Sequence, residues 1–376
     1  MSRQIRILHI GIDATLGGIE RFLINVYNNC SSEFHMDFVT TAKTLHYPLD
    51  EMISRDHDYE VIHVAPLSKP MAYFLDIYRV IKNGNYDVVH IHKNSLANPL
   101  PIFAAKLVRG QKIIIHSHNT QPSNSRRLGS LLHQFNKHII GHIAAERLAC
   151  SHLAGDWLFY PGQYHVIHNA IQVEKFVFNS EVRKRVRNEL HLQDKFVIGC
   201  VARISDQKNQ LFSLKILQEM IKKDKNICMV FVGGCADTPE GQAYDAKVRA
   251  AIKTMELQNY VMMLGSCDDT NELYQAFDVF LLPSKYEGLC IAAIEAQAAG
   301  LTSIVSSVLP PETKVSGERY IPMNIVESTK RWANVLFSCR GGERMNMREQ
   351  IFAAGYDMAA EIKKIETIYD NLANNY

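Results

Sequence analysis

Two cations, Arg203 and Lys208, stand where the apolar run Phe196-Val197-Ile198-Gly199-Cys200-Val201 gives way to a helical pattern of Leu211, Leu214, Ile216, Leu217 and Met220. Positive charge at a helix start opposes the helix dipole, which favours cations at the other end. The placement makes sense when an anion lies between the two, with Arg203 as a bidentate fork and Lys208 as a point charge. A pair of surface cations is the plainer alternative. A second stretch, Leu281 to Gly300, reads LLPSKYEGLCIAAIEAQAAG. Pro283 and Ser284 break the strand-like run Val279–Leu282, Glu287-Gly288 follows, and a helical face of Leu289, Ile291, Ala292, Ile294 and Ala298 stops at Gly300. Gly288 and Leu289 then sit at a helix N-terminus, where backbone N–H groups and the dipole favour an anion. Carboxylates beside such a site, Glu287 and Glu295, suit the hydroxyls of a sugar, because an ionised carboxylate only accepts hydrogen bonds. The plain alternative makes Glu287 a helix cap and Glu295 a solvated face residue.

The elements that would position these groups alternate along the chain. Ile5–Ile10 is a buried strand, Gly11 to Gly18 a glycine-bearing loop, and Ile19, Phe22, Leu23 and Val26 recur at helical spacing, which is the opening of a Rossmann-like unit. Gly11, Gly17 and Gly18 do not form G-x-G-x-x-G, so a nicotinamide dehydrogenase is disfavoured. The Gly17-Gly18 pair offers either close backbone approach to a ligand or an ordinary turn. Further strands are expected at Met36–Thr41, Glu60–Val64, Val88–His92, Lys112–Ser117, Arg147–Ser151 and Tyr164–Ile167, with helices such as Tyr73–Ile81 and Ile102–Val108 between them. A second series follows at Phe196–Val201, Cys228–Val232, Val261–Leu264 and Thr302–Val305. Alternation of this kind argues α/β halves with parallel sheets, whose ligands bind at the carboxyl ends of the strands. His90, His92, Lys93 and Asn94 lie at one strand end, and His116, His118 and Asn119 at another. Gly233 and Gly265 are strand-end glycines that let a nucleotide base or ribose approach the backbone.

The motif S-x-x-E-G…E-A-x-A-x-G, here Ser284, Glu287, Gly288, Glu295, Ala296, Ala298 and Gly300, resembles the signature of the retaining glycosyltransferases of family 4. The resemblance covers nearly the whole chain and implies the GT-B fold, two Rossmann-like domains with parallel sheets facing across a cleft. It places an N-terminal acceptor domain at 1–168, completed by the helix 357–376, and a donor domain at 169–356. By that resemblance Arg203 and Lys208 hold the donor diphosphate, Glu287 orients the donor sugar, Glu295 binds the ribose, and His118, rather than the deeper His116, contacts the sugar. A nucleotide-sugar, UDP by base rate, serves as co-substrate with no cofactor and no metal. Transfer retains anomeric configuration, to a hydroxyl of a glycan or lipid-linked acceptor in exopolysaccharide, capsule or O-antigen synthesis. One departure stands out: Asn169-Ala170-Ile171-Gln172 occupies the crossing where the family has Asn-Gly-Ile/Val-Asp.

Composition excludes several classes. At 376 residues and 47% hydrophobic content the chain can bury two cores, and a net charge of +2 with 21% charged residues does not suit a nucleic-acid binder. The eight cysteines form neither a C-x-x-C pair nor a zinc-spaced cluster, which fits a reduced cytoplasm. Met1–Gln4 run straight into a strand without signal-peptide regions, and no window approaches the 18 apolar residues of a membrane span. Asp56-His57-Asp58, the sole Asp-x-Asp, reads as a solvated loop and not a metal site. The segment 126–147 is an expected amphipathic helix bearing Leu128, Leu131, Leu132, Phe135, Ile139 and Ile143, with Arg126, Arg127, Lys137 and Arg147 beside His133, His138 and His142. It reads as a core helix with a basic solvent face, or as a peripheral contact with an anionic membrane on its cytoplasmic side. Three rival functions remain: a glycoside hydrolase using the two glutamates, a GT-B sugar-nucleotide epimerase, and a non-catalytic nucleotide-sugar-binding or scaffold protein. The hydrolase needs no cation pair for phosphate.

Overall fold

Thirteen strands fall into two parallel sheets in the computed structural model, which describes residues 3–53, 58–119, 127–140, 143–267 and 269–374. The first sheet contains β1 (Ile5–Ile12), β2 (Phe34–Thr40), β3 (Val61–His63), β4 (Val88–Lys93), β5 (Lys112–Ser117), β6 (Glu146–Ala149) and β7 (His165–Val166), in the order β3-β2-β1-β4-β5-β6-β7. The second contains β8 (Phe196–Val201), β9 (Ile227–Val232), β10 (Val261–Gly265), β11 (Val279–Leu282), β12 (Thr302–Ser306) and β13 (Tyr320–Met323), in the order β10-β9-β8-β11-β12-β13. Both are doubly wound, and this is the GT-B architecture. Two compact units result, one of residues 1–169 with 359–376 and one of residues 170–358.

Strand composition explains why the sheets are buried on both faces. Every residue of β8 and β11 is buried, and their side chains alternate between two cores. Val197, Val201, Phe280 and Leu282 pack with Tyr274, Ile294 and Ile351 on one side; Ile198, Cys200, Val279 and Leu281 pack with Leu214, Leu217 and Trp332 on the other. Helix starts are set by side-chain caps: Ser151, Asn179, Thr238 and Ser328 each accept a backbone N–H of the helix that follows. Asp278 ties β11 to β8 by accepting the Val197 amide at 2.7 Å and the Arg183 guanidinium at 2.5 Å.

The structure corrects or extends the expected elements in four places. The helix anticipated over 126–147 runs from Arg127 to Ile140, and Arg147 lies in β6. The helix expected from Leu289 begins at Ile291. The expected helix 357–376 is present as Met358–Asn374, and a separate short helix, Arg348–Ala353, precedes it, the two parted at Gly355, whose φ of +82° favours glycine. Finally β13 has no counterpart in the sequence reading. It carries Pro322, which a central strand would not accept and an edge strand does. Asp56 and His57 lie outside the described residues. Among those described, no helix is long and apolar enough to cross a membrane.

Gly199 sits in the middle of β8 against the ring of Phe277, which an added Cβ would meet at 2.1 Å. Gly199→Ala is therefore expected to overpack the second unit and cost about 1–3 kcal/mol. Urea denaturation followed by circular dichroism measures the loss; an unchanged midpoint would contradict this packing.

Candidate functional site

Strand order in the second unit reverses between β8 and β11, so the loops after these two strands flank a topological switch point. The β8 loop carries Arg203 and Lys208, and the β11 loop carries Glu287. Four contacts lace the loops together. The Lys285 amide donates to Gln207 O at 2.8 Å, and the Gln207 side chain donates to Tyr286 O at 2.9 Å. Asn209 Nδ2 donates to Pro283 O at 3.2 Å, and Lys285 pairs with Asp206 at 2.7 Å. Asn209 holds a left-handed φ of 59° just before the helix Gln210–Ile221, a conformation asparagine tolerates.

The laced loops bring Lys208 Nζ to 2.5 Å from Glu287 Oε1, with the Lys208 side chain 15% and the Glu287 side chain 5% exposed. Burial is the largest single influence and works against the Lys208 ammonium, but the charge and hydrogen bond of Glu287, together with Cys290, hold the lysine above its ordinary pKa. Arg203 is exposed, and its charge is felt at Lys208. Two cations thus converge on one loop, and of the two only Lys208 has a buried counter-ion among the described residues.

Gly288 and Leu289 precede the helix Ile291–Ala298, whose N-cap Cys290 supplies no side-chain acceptor. With no acidic residue in its first turn, that terminus keeps its partial positive charge. Glu295 lies on this helix, half-buried, with Oε2 2.8 Å from the hydroxyl of Tyr274, which also lies 3.0 Å from Ala292 O. Sequence reading missed Tyr274, because no spacing rule links it to a glutamate 21 residues later. Gly233 follows β9 and Gly265 ends the adjacent β10, the Gly233 amide donating to Gly265 O at 2.7 Å. Gly233 has φ +134°, and an added Cβ would stand 2.2 Å from Ala202 O. Its glycine is demanded by backbone packing against the loop that bears Arg203.

In the first unit, Gly17 caps the helix Gly18–Asn29 with its amide 2.8 Å from Glu20 Oε2, while the Asp13 amide binds Glu20 Oε1 at 2.9 Å. The Gly17 amide is therefore engaged by the chain itself. An added Cβ at Gly17 would press on that carboxylate, whereas one at Gly18 would meet nothing within 4 Å. Burial raises the Glu20 pKa against the hydrogen bonds that stabilise its charge.

His118 follows β5 and is the outermost of five stacked histidines. Its Nε2 lies 2.8 Å from His92 Nδ1, and His92 Nε2 lies 3.1 Å from His9 Nδ1. Alongside, His116 Nδ1 lies 3.2 Å from His90 Nε2, and His90 Nδ1 lies 2.8 Å from the Tyr369 hydroxyl. Burial pushes His9 and His118 down to about 3, and burial together with their neighbours pushes His90, His92 and His116 far below the usual imidazole value. All five are therefore neutral at physiological pH. Lys93, at the end of β4, is pushed down to about 8 by burial.

The helix Arg127–Ile140 turns part of its apolar side to solvent: Leu131 is 69% and Phe135 65% exposed, with Leu132 and Ile139 beside them. This overturns the core-helix reading for these four residues; Ile140 and His133 supply the buried side instead. Lys137 does not face solvent freely, since it donates to the carbonyls of Asp156 and Trp157 at the end of the helix His152–Leu158. Arg126 and His142 lie outside the described residues.

Comparison with known proteins bears on both halves. Residues 16–175 match the model described as Glycosyltransferase Family 4, and residues 182–321 match Glycosyl transferases group 1. The chain is 26% identical over 384 residues to a Bacillus subtilis protein described as a glycosyltransferase, EpsF, covering 98% of this chain and 97% of the other. It is 25% identical over 395 residues to the Escherichia coli UDP-Gal:alpha-D-GlcNAc-diphosphoundecaprenol alpha-1,3-galactosyltransferase, covering 99% and 98%. Its fold is similar to that of Anabaena HepE solved with UDP and glucose, with a TM-score of 0.78, 17% identity and coverage of 97% and 99%.

Removing one member of a buried pair strands the other. Lys208→Met is expected to destabilise the protein by about 3 kcal/mol, because the buried Glu287 carboxylate loses its ammonium partner. The raised pKa means that the folded state holds the lysine proton more tightly than the unfolded chain. The pair's contribution is therefore full below about pH 10.5 and fades as pH rises through the folded value. Denaturant titrations of wild type and variant at neutral and strongly alkaline pH measure this; a gap that persisted unchanged would contradict it.

Proposed function

Because the chain belongs to the GT-B glycosyltransferases, family 4 in its first half and group 1 in its second, we propose that it transfers a sugar, with retention, from a UDP-sugar to a hydroxyl of a glycan or lipid-linked acceptor in surface polysaccharide synthesis. The observation that carries this reading is the Lys208–Glu287 pair, set beside exposed Arg203 and an uncapped helix N-terminus at the β8–β11 switch point. Two cations and a helix start match the charge that builds on a departing diphosphate, and they stabilise it without a metal. In this reading Arg203 and Lys208 grip the diphosphate, with the amides of Gly288 and Leu289. Lys208 holds Glu287 in place, and Glu287 accepts from donor sugar hydroxyls. Glu295, oriented by Tyr274, accepts from the ribose. Gly233 and Gly265 shape the nucleotide side, and Gly17, Gly18 and His118 belong to the acceptor-bearing unit, where His118 contacts the sugar. The Escherichia coli relative, named for a UDP-Gal donor and a diphosphoundecaprenol-linked acceptor, supports the donor and acceptor classes proposed here.

A lipid-linked acceptor requires an approach to a membrane, and Leu131, Leu132, Phe135 and Ile139 offer an apolar contact at the cytoplasmic leaflet. Lys137 contributes little to it, since it is tied to carbonyls within the unit.

Two outcomes are expected. A screen of nucleotide-sugars by thermal shift should show one donor stabilising the protein, and Arg203→Ala and Lys208→Ala should each weaken nucleoside diphosphate binding by about 10- to 100-fold, the worth of a charged hydrogen bond. Unchanged affinity in both variants would remove the diphosphate assignment. Separately, a Leu131→Glu/Phe135→Glu variant should lose co-flotation with lipid vesicles while keeping diphosphate affinity. Flotation equal to wild type would sink the membrane contact.

A further inference from the structure

Five imidazoles fill a layer that an apolar core would ordinarily occupy. Strand period explains their convergence. His90 and His92 share one face of β4, His116 and the position of His118 share one face of β5, and the parallel register sets His9 beside His90 and His92 beside His116. Phe22 packs edge-on against His116, and Tyr369 covers His90. The layer is not satisfied internally. Among the described residues, His9 Nε2, His116 Nε2 and His118 Nδ1 are buried without a hydrogen-bond partner, a costly condition in a native core.

We propose that His92, His116 and His118 form a binding site for a divalent metal of the zinc class. One ring nitrogen from each lies within 4.8 Å of those from the other two. His92 Nδ1 and His118 Nε2, now 2.8 Å apart, need to open by roughly half an ångström to share a tetrahedral ion at about 2.0–2.1 Å from each. The outer partners that orient ligating histidines are already in place. His92 keeps its other nitrogen against His9, and His116 keeps its Nδ1 against His90, which in turn meets Tyr369. That arrangement leaves the orphaned His116 Nε2 as the ligand atom. The competing triad, His9, His90 and His92, is buried throughout, whereas His118 is only partly buried. Neither triad contains a carboxylate or a thiolate, so an all-imidazole set favours zinc, copper or nickel over magnesium or calcium. The site leaves a fourth position for solvent. Ligation fixes His118, so loading should slow sugar transfer; that consequence rests on the role proposed for His118, and the binding itself does not.

The test uses tag-free, full-length protein stripped with a chelator and titrated with Zn(II) against a chromophoric competitor, and in parallel with Co(II). The proposal expects one zinc per chain and a Co(II) absorption band of a four-coordinate site that zinc displaces. His116→Phe should abolish the stoichiometric site, and His9→Phe, which alters only an outer partner, should weaken zinc by about 10- to 100-fold. Thermal melts verify folding, and where His116→Phe does not fold, the Co(II) spectrum and His9→Phe decide. Nucleoside diphosphate affinity, carried by the second unit, should stay the same in both variants, which separates this site from the donor reading. Substoichiometric zinc in the wild type, or zinc bound by both variants as by the wild type, would overturn the proposal.

Discussion

A lysine ammonium and a glutamate carboxylate held in contact below the surface are the constraint around which the second unit is arranged. Such a pair is tolerated only where geometry and further hydrogen bonds offset the desolvation of both charges. The lacing of the β8 and β11 loops through Gln207, Asn209 and Asp206 supplies that geometry. Those loops are adjacent because β8 and β11 are neighbours where the strand order reverses. The fold therefore converts a topological feature into a fixed charge arrangement. Lys208 is committed to Glu287, Arg203 extends outward, and the helix that follows presents an uncapped terminus. Preorganised charge of this kind stabilises a developing anion without rearrangement at the moment of reaction.

Much of this was legible in the sequence, and the reasons are physical. Strands buried on both faces read as continuous apolar runs, so β5 and β8 were bounded correctly from composition alone. Cations at a helix start contradict the dipole, and that contradiction flagged Arg203 and Lys208. The pairing of Lys208 with Glu287 was not legible, since 79 residues separate them and only sheet topology brings them together. Tyr274 behind Glu295 escaped for the same reason. The edge strand β13 escaped because Pro322 argues against a strand wherever the strand's place in the sheet is unknown.

Two readings changed character once side chains were placed. Gly17 is required by the Glu20 carboxylate that caps its helix, while Gly18 remains open to close approach. The helix Arg127–Ile140 has the periodicity of a buried helix yet exposes Leu131 and Phe135, and periodicity cannot tell a core face from an interaction face. The histidines show the converse: His90, His92, His116 and His118 stood out near strand ends and His9 did not, and their union into one layer depends on the register of three strands.

A crystal structure of the protein soaked with its nucleotide-sugar measures the central claim most directly. The account requires pyrophosphate oxygens within hydrogen-bond distance of Lys208 Nζ, the Arg203 guanidinium and the amides of Gly288 and Leu289, with Glu287 facing the sugar. A pyrophosphate seated away from these groups, or held through a divalent cation, would contradict it.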